Sequence, residues 1–198
     1  MPYFPPKIVI IFVFYKTFVM QRVTLKDKTF VPYITSDKIS VSVKQLAQKI
    51  NADLVNDMPL FLVVLNGSFM FAADLLKEVT IPCEISFIKL ASYHGTSSTG
   101  TVTEMIGLTE EIKGRTVVVV EDIVDTGVTL EKLVALLTKK EVKQIKVASF
   151  LLKPEAYKKD IAVDYVGMEI PNDFVVGYGL DYDGLGRNMK EIFVLESK

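Results

Sequence analysis

The stretch Val117 to Leu130, VVVVEDIVDTGVTL, carries the residue types from which a phosphate and sugar site can be built. A run of valines ends in two adjacent acids, Glu121 and Asp122. A short loop with Asp125, Thr126, Gly127, Val128 and Thr129 then leads into a helical pattern. At a helix N-terminus the first amides lack internal partners and the dipole is positive, so a loop containing Gly127 can wrap those amides around a phosphate. Thr126 and Thr129 can add hydroxyl donors. Hydrogen bonds to a charged group contribute roughly 1.5 to 3 kcal/mol each, so several converging on one phosphate would anchor a substrate. Carboxylates at 121 and 122 can accept hydrogen bonds from the two hydroxyls of a ribose, or approach a divalent cation chelated by them. The blander reading is that Asp125 or Thr126 caps the helix and the acids are a solvated strand end. Asp-Thr-Gly also occurs in aspartic proteases, but those need two such carboxylates in all-β surroundings, and here a helix follows.

The elements that must hold this loop are legible as alternating strands and helices, the pattern of an α/β domain with a mainly parallel sheet. In Ser40 to Ile50, Val43, Leu46, Ala47 and Ile50 fall on one helix face, with Lys44, Gln45 and Lys49 outside it. Leu60 to Leu65 is continuously apolar, as a strand buried on both faces should be; Gly67 ends it before a helix over Phe69 to Lys77. Ile85 to Leu90 is the next strand. Ala91 to Met105 is small and polar without period, a loop long enough to be an active-site lid. Val117 to Val120 is a second buried strand, and Leu130, Leu133, Val134 and Leu137 mark the buried stripe of the helix after it. Ile145 to Leu152 continues the alternation. Tyr165 to Met168, Phe174 to Tyr178 and Ile192 to Leu195 suggest three short strands separated by turn-forming Asp, Asn and Gly.

Composition narrows the function classes. A chain of 198 residues with 49% hydrophobic content has the size of one domain with one sizeable core. Lys and Arg number 23 against 24 for Asp and Glu, so no global field draws in a polyanion, which argues against nucleic acid as a partner. The single cysteine, Cys83, cannot form an internal disulfide, and one His with one Cys cannot supply a structural zinc site, which fits a cytoplasmic chain. Cys83 itself reads as a buried small hydrophobe. Ile8 to Tyr15 is an unbroken apolar run, but a membrane span needs about 20 such residues, so no membrane attachment is expected. It lacks a small-x-small cleavage pattern after it. Residues 1–19 are therefore read as a doubtful apolar extension, with translation expected to begin at Met20 and a single domain over 20–198.

EDIVDTGVTL resembles the phosphoribosyl pyrophosphate motif of the type I phosphoribosyltransferases. LNGSFMFAADLL at 65–76, FIKLASYHGTSSTG at 87–100, VASFLLKP at 147–154 and DFVVGYGLDY at 173–182 are together similar to the hypoxanthine and hypoxanthine-guanine members, in the family's order. The resemblance implies a twisted, mainly parallel sheet flanked by helices, with a small hood formed by N- and C-terminal segments. It implies that Glu121 and Asp122 hold the ribose hydroxyls, that Asp125, Thr126, Gly127, Val128 and Thr129 bind the 5′-phosphate, and that Asp125 is catalytic at N7 of the purine. Lys153 would bond the purine's 6-oxo group, Phe174 stack on the base and Val175 read its edge. Leu65, Asn66, Gly67 and Ser68 match the pyrophosphate loop, and Arg187 a cation near the same group. Asp181, with Glu121 and Asp122, would serve magnesium. Ser92 and Tyr93 would lie in the lid.

Taken alone, a lysine at a strand end like Lys153 is usually solvated, and a lone aromatic like Phe174 is usually core. Asn66 departs from the pattern, since many members carry lysine there. Charged hydrogen bonds are about twice as strong as neutral ones, so weaker pyrophosphate affinity is expected unless another cation compensates. Val128 replaces a longer side chain where backbone amides can do the work. His94, the only histidine, is expected to have no proton-transfer role. The implied reaction moves ribose 5-phosphate from phosphoribosyl pyrophosphate to an oxopurine, hypoxanthine and guanine first, in a homodimer or homotetramer. Two alternatives remain open: a xanthine-preferring or other type I transferase, and a non-catalytic regulator on the same fold.

Overall fold

The computed structural model describes residues 22–91, 103–106 and 111–196. Along the chain run β1 (Val23–Leu25), β2 (Lys28–Ile34), α1 (Ser36–Asp53), β3 (Leu60–Val64), α2 (Phe69–Glu78), β4 (Glu84–Ala91), β5 (Thr103–Ile106), β6 (Thr116–Val124), α3 (Val128–Lys139), β7 (Gln144–Leu152), β8 (Tyr165–Glu169), β9 (Val175–Val176) and β10 (Ile192–Leu195). The main sheet has the order β5-β4-β3-β6-β7-β8. Strands β4, β3, β6, β7 and β8 are parallel neighbours, and β5 is an antiparallel edge.

Alternation along the central strands sorts their side chains between two cores. Phe61, Val63, Val118 and Val120 face α1 and α2, packing with Val43, Leu46, Ile50, Phe71 and Leu75. Leu60, Leu62, Val117 and Val119 face α3, packing with Leu130, Leu133 and Leu137. Both faces of the sheet are thus covered, which is why β3 is buried at every position. A second, four-stranded sheet of order β1-β2-β10-β9 forms the hood from the two ends of the described chain, with its own small core of Phe30, Val176 and Phe193.

The structure corrects several expectations. β6 does not end at the two acids. It continues through Glu121 and Asp122 to Val124, because β7 keeps pairing with it as far as Val124↔Leu152. The segment read as an unstructured loop closes with β5, paired to β4 through Leu90↔Glu104 and Ala91↔Thr103. The expected strand over Phe174 to Tyr178 shrinks to Val175–Val176, since Gly177 and Gly179 have φ of 98° and turn the chain. Helix α1 begins earlier than its apolar stripe, where the Thr35 side chain accepts a hydrogen bond from the Lys38 amide. Cys83 and Val134 are half-buried rather than buried. Residues 1–19, Met20, Ser92, Tyr93 and His94 lie outside the described residues. Among those described, no helix is long and apolar enough to cross a membrane.

Candidate active site

The open ends of the parallel strands create the site. β3 pairs with β6 only as far as Val63↔Val120, so Glu121 to Val124 project beyond it, held on the β7 side alone. Into the space beside them turns the loop after β3, which contains a cis peptide at Leu65-Asn66. Crevices outside the carboxyl ends of parallel strands are where open α/β sheets take ligands.

On one side of this overhang a cleft of about 90 Å³ is lined by Glu121, Ile123, Val124 and the loop Asp125 to Leu130. Gly127 occupies the N-cap of α3 with φ 80°, and no side chain among the described residues caps the helix. The reading of Asp125 or Thr126 as a mere cap is therefore overturned: the first-turn amides of α3 have no side-chain acceptor, and their dipole favours an anion. Thr126, Val128 and Thr129 are exposed around it, while Gly127 is buried.

On the other side, a wider cleft of about 480 Å³ is lined by Leu65, Asn66, Phe69, Gly184 to Asn188 and, among these, Arg187. Arg187 is fixed there by two acceptors, the Gly179 carbonyl at 2.6 Å and Asp181 Oδ1 at 2.5 Å. Asp181 Oδ2 also accepts from the Gly184 amide at 2.7 Å. Ser68 does not face this cleft. It is fully buried and donates its hydroxyl to the Val64 carbonyl.

The two acids point to opposite faces of β6, as neighbours on a strand must. Glu121, 6% exposed, lines the first. Asp122 packs on Gly67, where a Cβ would stand 1.5 Å from its Oδ2. Neither acid is a solvated strand end. Burial pushes the Glu121 carboxyl well above the ordinary range, and the neighbouring Asp122 adds to this. Burial likewise pushes Asp122 up to about 6, against the Ile123 amide and the Arg187 charge, which favour its ionised form, and with Asp181 raising it further. Two reluctant acids therefore stand at the strand end, Glu121 lining the first cleft and Asp122 against the loop whose Leu65 and Asn66 line the wider one. That arrangement fits a ligand with a diol in the middle and anionic groups at both ends.

Lys153, expected to be solvated on general grounds, is 7% exposed and pairs with Asp125 Oδ2 at 2.8 Å. Its backbone amide bonds the Val124 carbonyl, which ties the end of β7 to the loop. Phe174 is 42% exposed, so it is not core. Its ring contacts Phe30 and Tyr182, with Lys28 Nζ 5.2 Å from its centroid. Val175 is buried in β9 beside it. Residues with a place at the site that the sequence reading does not assign to it include Ile123, which lines the first cleft; Lys28, over Phe174; and Tyr157, packed behind Gly127. Ile123 is an aliphatic residue among acids, between Asp122 and Asp125, with no chemistry of its own to mark it, and the other two have no sequence signal that separates them from ordinary surface residues.

Comparisons with known proteins identify the family. Residues 34–183 match the family model described as phosphoribosyl transferase domain. A hypoxanthine-guanine phosphoribosyltransferase from Streptococcus pneumoniae is 39% identical over 83% of this chain and 92% of its own. One from Bacillus subtilis is 39% identical over 82% and 91%. Among solved structures, a hypoxanthine phosphoribosyltransferase from Staphylococcus aureus superposes with a TM-score of 0.78 at 37% identity, covering 83% of this chain and 90% of that one.

Proposed function

The chain belongs to the phosphoribosyltransferase family, and from that premise we propose that it transfers the 5-phosphoribosyl group of phosphoribosyl pyrophosphate to hypoxanthine, and to guanine, in purine salvage. The observation that carries this reading is the pair of clefts on either side of Glu121 and Asp122, with buried Lys153 next to Asp125. In it, the α3 amides and Thr126 and Thr129 take the 5′-phosphate, the two acids accept from the ribose hydroxyls, and the pyrophosphate extends toward Asn66, Gly67 and Arg187. Purine N9 forms the bond to the ribose C1 as the C1–oxygen bond to pyrophosphate breaks, and Asp125 accepts the proton from N7. Lys153 donates to the 6-oxo group, Phe174 stacks on the ring and the Val175 backbone reads its edge.

Magnesium fits the donor set. Asp181 raises the Asp122 carboxyl, a repulsion that a cation would relieve. Among the described residues no cluster of three or more His, Cys, Asp or Glu could hold an ion alone. That suits an ion held by one or two carboxylates, Asp181 foremost with Glu121 or Asp122 as the second, and completed by substrate oxygens. When bound it neutralises charge building on the leaving pyrophosphate. Among the described residues Arg187 is the only cationic side chain lining the wider cleft, and it already faces Asp181, so Asn66 leaves pyrophosphate affinity low.

Residues 20–198 act in this reading as one catalytic domain. The enzyme works in the cytoplasm as a homodimer or homotetramer. Ile85 and Phe87, each 46% exposed side by side on one face of β4, supply apolar surface that assembly would cover. The test is nucleotide formation from phosphoribosyl pyrophosphate and magnesium with hypoxanthine, guanine, xanthine or adenine supplied separately. Turnover on the first two supports the proposal, a preference for xanthine moves the base specificity, and no turnover with phosphoribosyl pyrophosphate still bound leaves a regulator.

A further inference from the structure

We propose that Tyr157, assisted by Lys159, is a positioning residue that braces the phosphate loop from behind and so sets its affinity for the phosphoribosyl substrate. The inference rests on the phosphate site proposed above. Its basis is a contact that no motif contains. A Cβ built on Gly127 would lie 2.4 Å from Tyr157 Cε2 and 2.8 Å from Lys159 Cγ. The Tyr157 ring and the Lys159 stem therefore touch the loop backbone at its one left-handed residue, which is why Gly127 is buried while Thr126, Val128 and Thr129 around it are exposed.

Both bracing side chains are themselves held. The Tyr157 hydroxyl donates to the Ile161 carbonyl at 2.5 Å, and its amide donates to the Lys153 carbonyl at 3.0 Å. Lys159 Nζ reaches Glu131 Oε2, in the first turn of α3, at 2.7 Å. The connection between β7 and β8 thus meets the loop at three successive points: Lys153 on Asp125, Tyr157 on Gly127 and Lys159 on Glu131.

Glycine populates left- and right-handed backbone regions about equally, so Gly127 is the softest joint of a loop whose amides must converge on one anion. No side chain caps α3 to fix that joint from the front. Packing from the back does so instead. Without it the loop must be ordered when the substrate binds, and that ordering is subtracted from affinity.

The experiment measures binding of ribose 5-phosphate by calorimetry and steady-state kinetics for the full chain, for Tyr157→Ala and for Tyr157→Phe. Alanine is expected to raise the ribose 5-phosphate Kd and the KM for phosphoribosyl pyrophosphate about tenfold, leaving the purine KM within about twofold, as loss of pre-organisation confined to one subsite requires. Phenylalanine keeps the ring on Gly127 and is expected to restore most of the affinity. An unchanged Kd in the alanine variant, or equal rises in both Michaelis constants, overturns the inference while the phosphate site stands. Failure of the unsubstituted chain to bind ribose 5-phosphate removes the site and the brace together. Should Tyr157→Ala not fold, Lys159→Ala removes the second contact: a rise in the phosphoribosyl pyrophosphate KM alone supports the brace, and no rise overturns it.

Discussion

Replacing Asp122 by asparagine separates what this acid does for the substrate from what it costs the fold. Burial moves its carboxyl from 3.8 up to about 6. Because the folded value lies above the unfolded one, the folded state holds the proton more tightly. The corresponding stability is fully present below the unfolded value of 3.8 and is lost as pH rises through about 6. A rise from 3.8 to about 6 is about 2 pH units, or roughly 3 kcal/mol at about 1.4 kcal/mol per unit. Asparagine has the same shape and no charge to bury, and Arg187 keeps its partner Asp181. In magnesium-free buffer at pH 8, Asp122→Asn is therefore expected to be more stable by about 1 to 3 kcal/mol, a rise in melting temperature of roughly 3 to 9 °C for a chain of this size. At pH 4 the gain should shrink below about 1 kcal/mol, since the wild-type group is then mostly protonated when folded. The same variant loses a charged acceptor for ribose, so its KM for phosphoribosyl pyrophosphate should rise roughly 10- to 150-fold, the equivalent of 1.5 to 3 kcal/mol. Thermal unfolding at the two pH values, with kinetics alongside, checks both halves. A stability gain that does not depend on pH, or a loss at pH 8, would refute the reasoning about desolvation.

Asp125→Asn should lower turnover by about 10²- to 10⁴-fold while phosphoribosyl pyrophosphate still binds in calorimetry, because it removes the proton acceptor without touching the α3 amides. Asn66→Lys should lower the KM for phosphoribosyl pyrophosphate severalfold, as a charge-assisted bond replaces a neutral one across the wider cleft; an unchanged KM would mean that Asn66 faces no phosphate. Gly179→Ala, at φ 98° with its Cβ placed 1.9 Å from the Gly67 carbonyl oxygen, should cost at least about 1 to 3 kcal/mol in chemical denaturation and displace the Asn66 loop. Stability equal to wild type would show that the loop can move aside freely.

The parallel core was legible because its strands are short uninterrupted apolar runs: Leu60 to Val64 and Val117 to Val120 are buried on both faces and cannot be confused with amphipathic surface strands. The phosphate loop was legible because its chemistry is local, an αL glycine followed directly by a helix. Hydrophobicity failed where burial and polarity part company. Glu121 sits inside β6 yet is polar, so an apolar run stops there although the hydrogen bonding continues to Val124. The hairpin of β1 and β2 went unread because its strands are only partly buried and mix Lys, Thr and Pro with apolar residues. Contacts between distant segments carry no local signal: Asp122 on Gly67 and Tyr157 on Gly127 are products of tertiary packing alone. The burial of Lys153 is of the same kind, set by Asp125 and the Val124 carbonyl rather than by its own neighbours in sequence.

The most direct test of the central claim is a crystal structure of the chain with inosine monophosphate and magnesium pyrophosphate. The 5′-phosphate is expected on the amides of Thr126 to Thr129, the ribose hydroxyls on Glu121 and Asp122, the 6-oxo group at Lys153 Nζ, and pyrophosphate between Asn66 and Arg187. A nucleotide phosphate bound in the wider cleft beside Asn66, with the α3 N-terminus left to solvent, would contradict it.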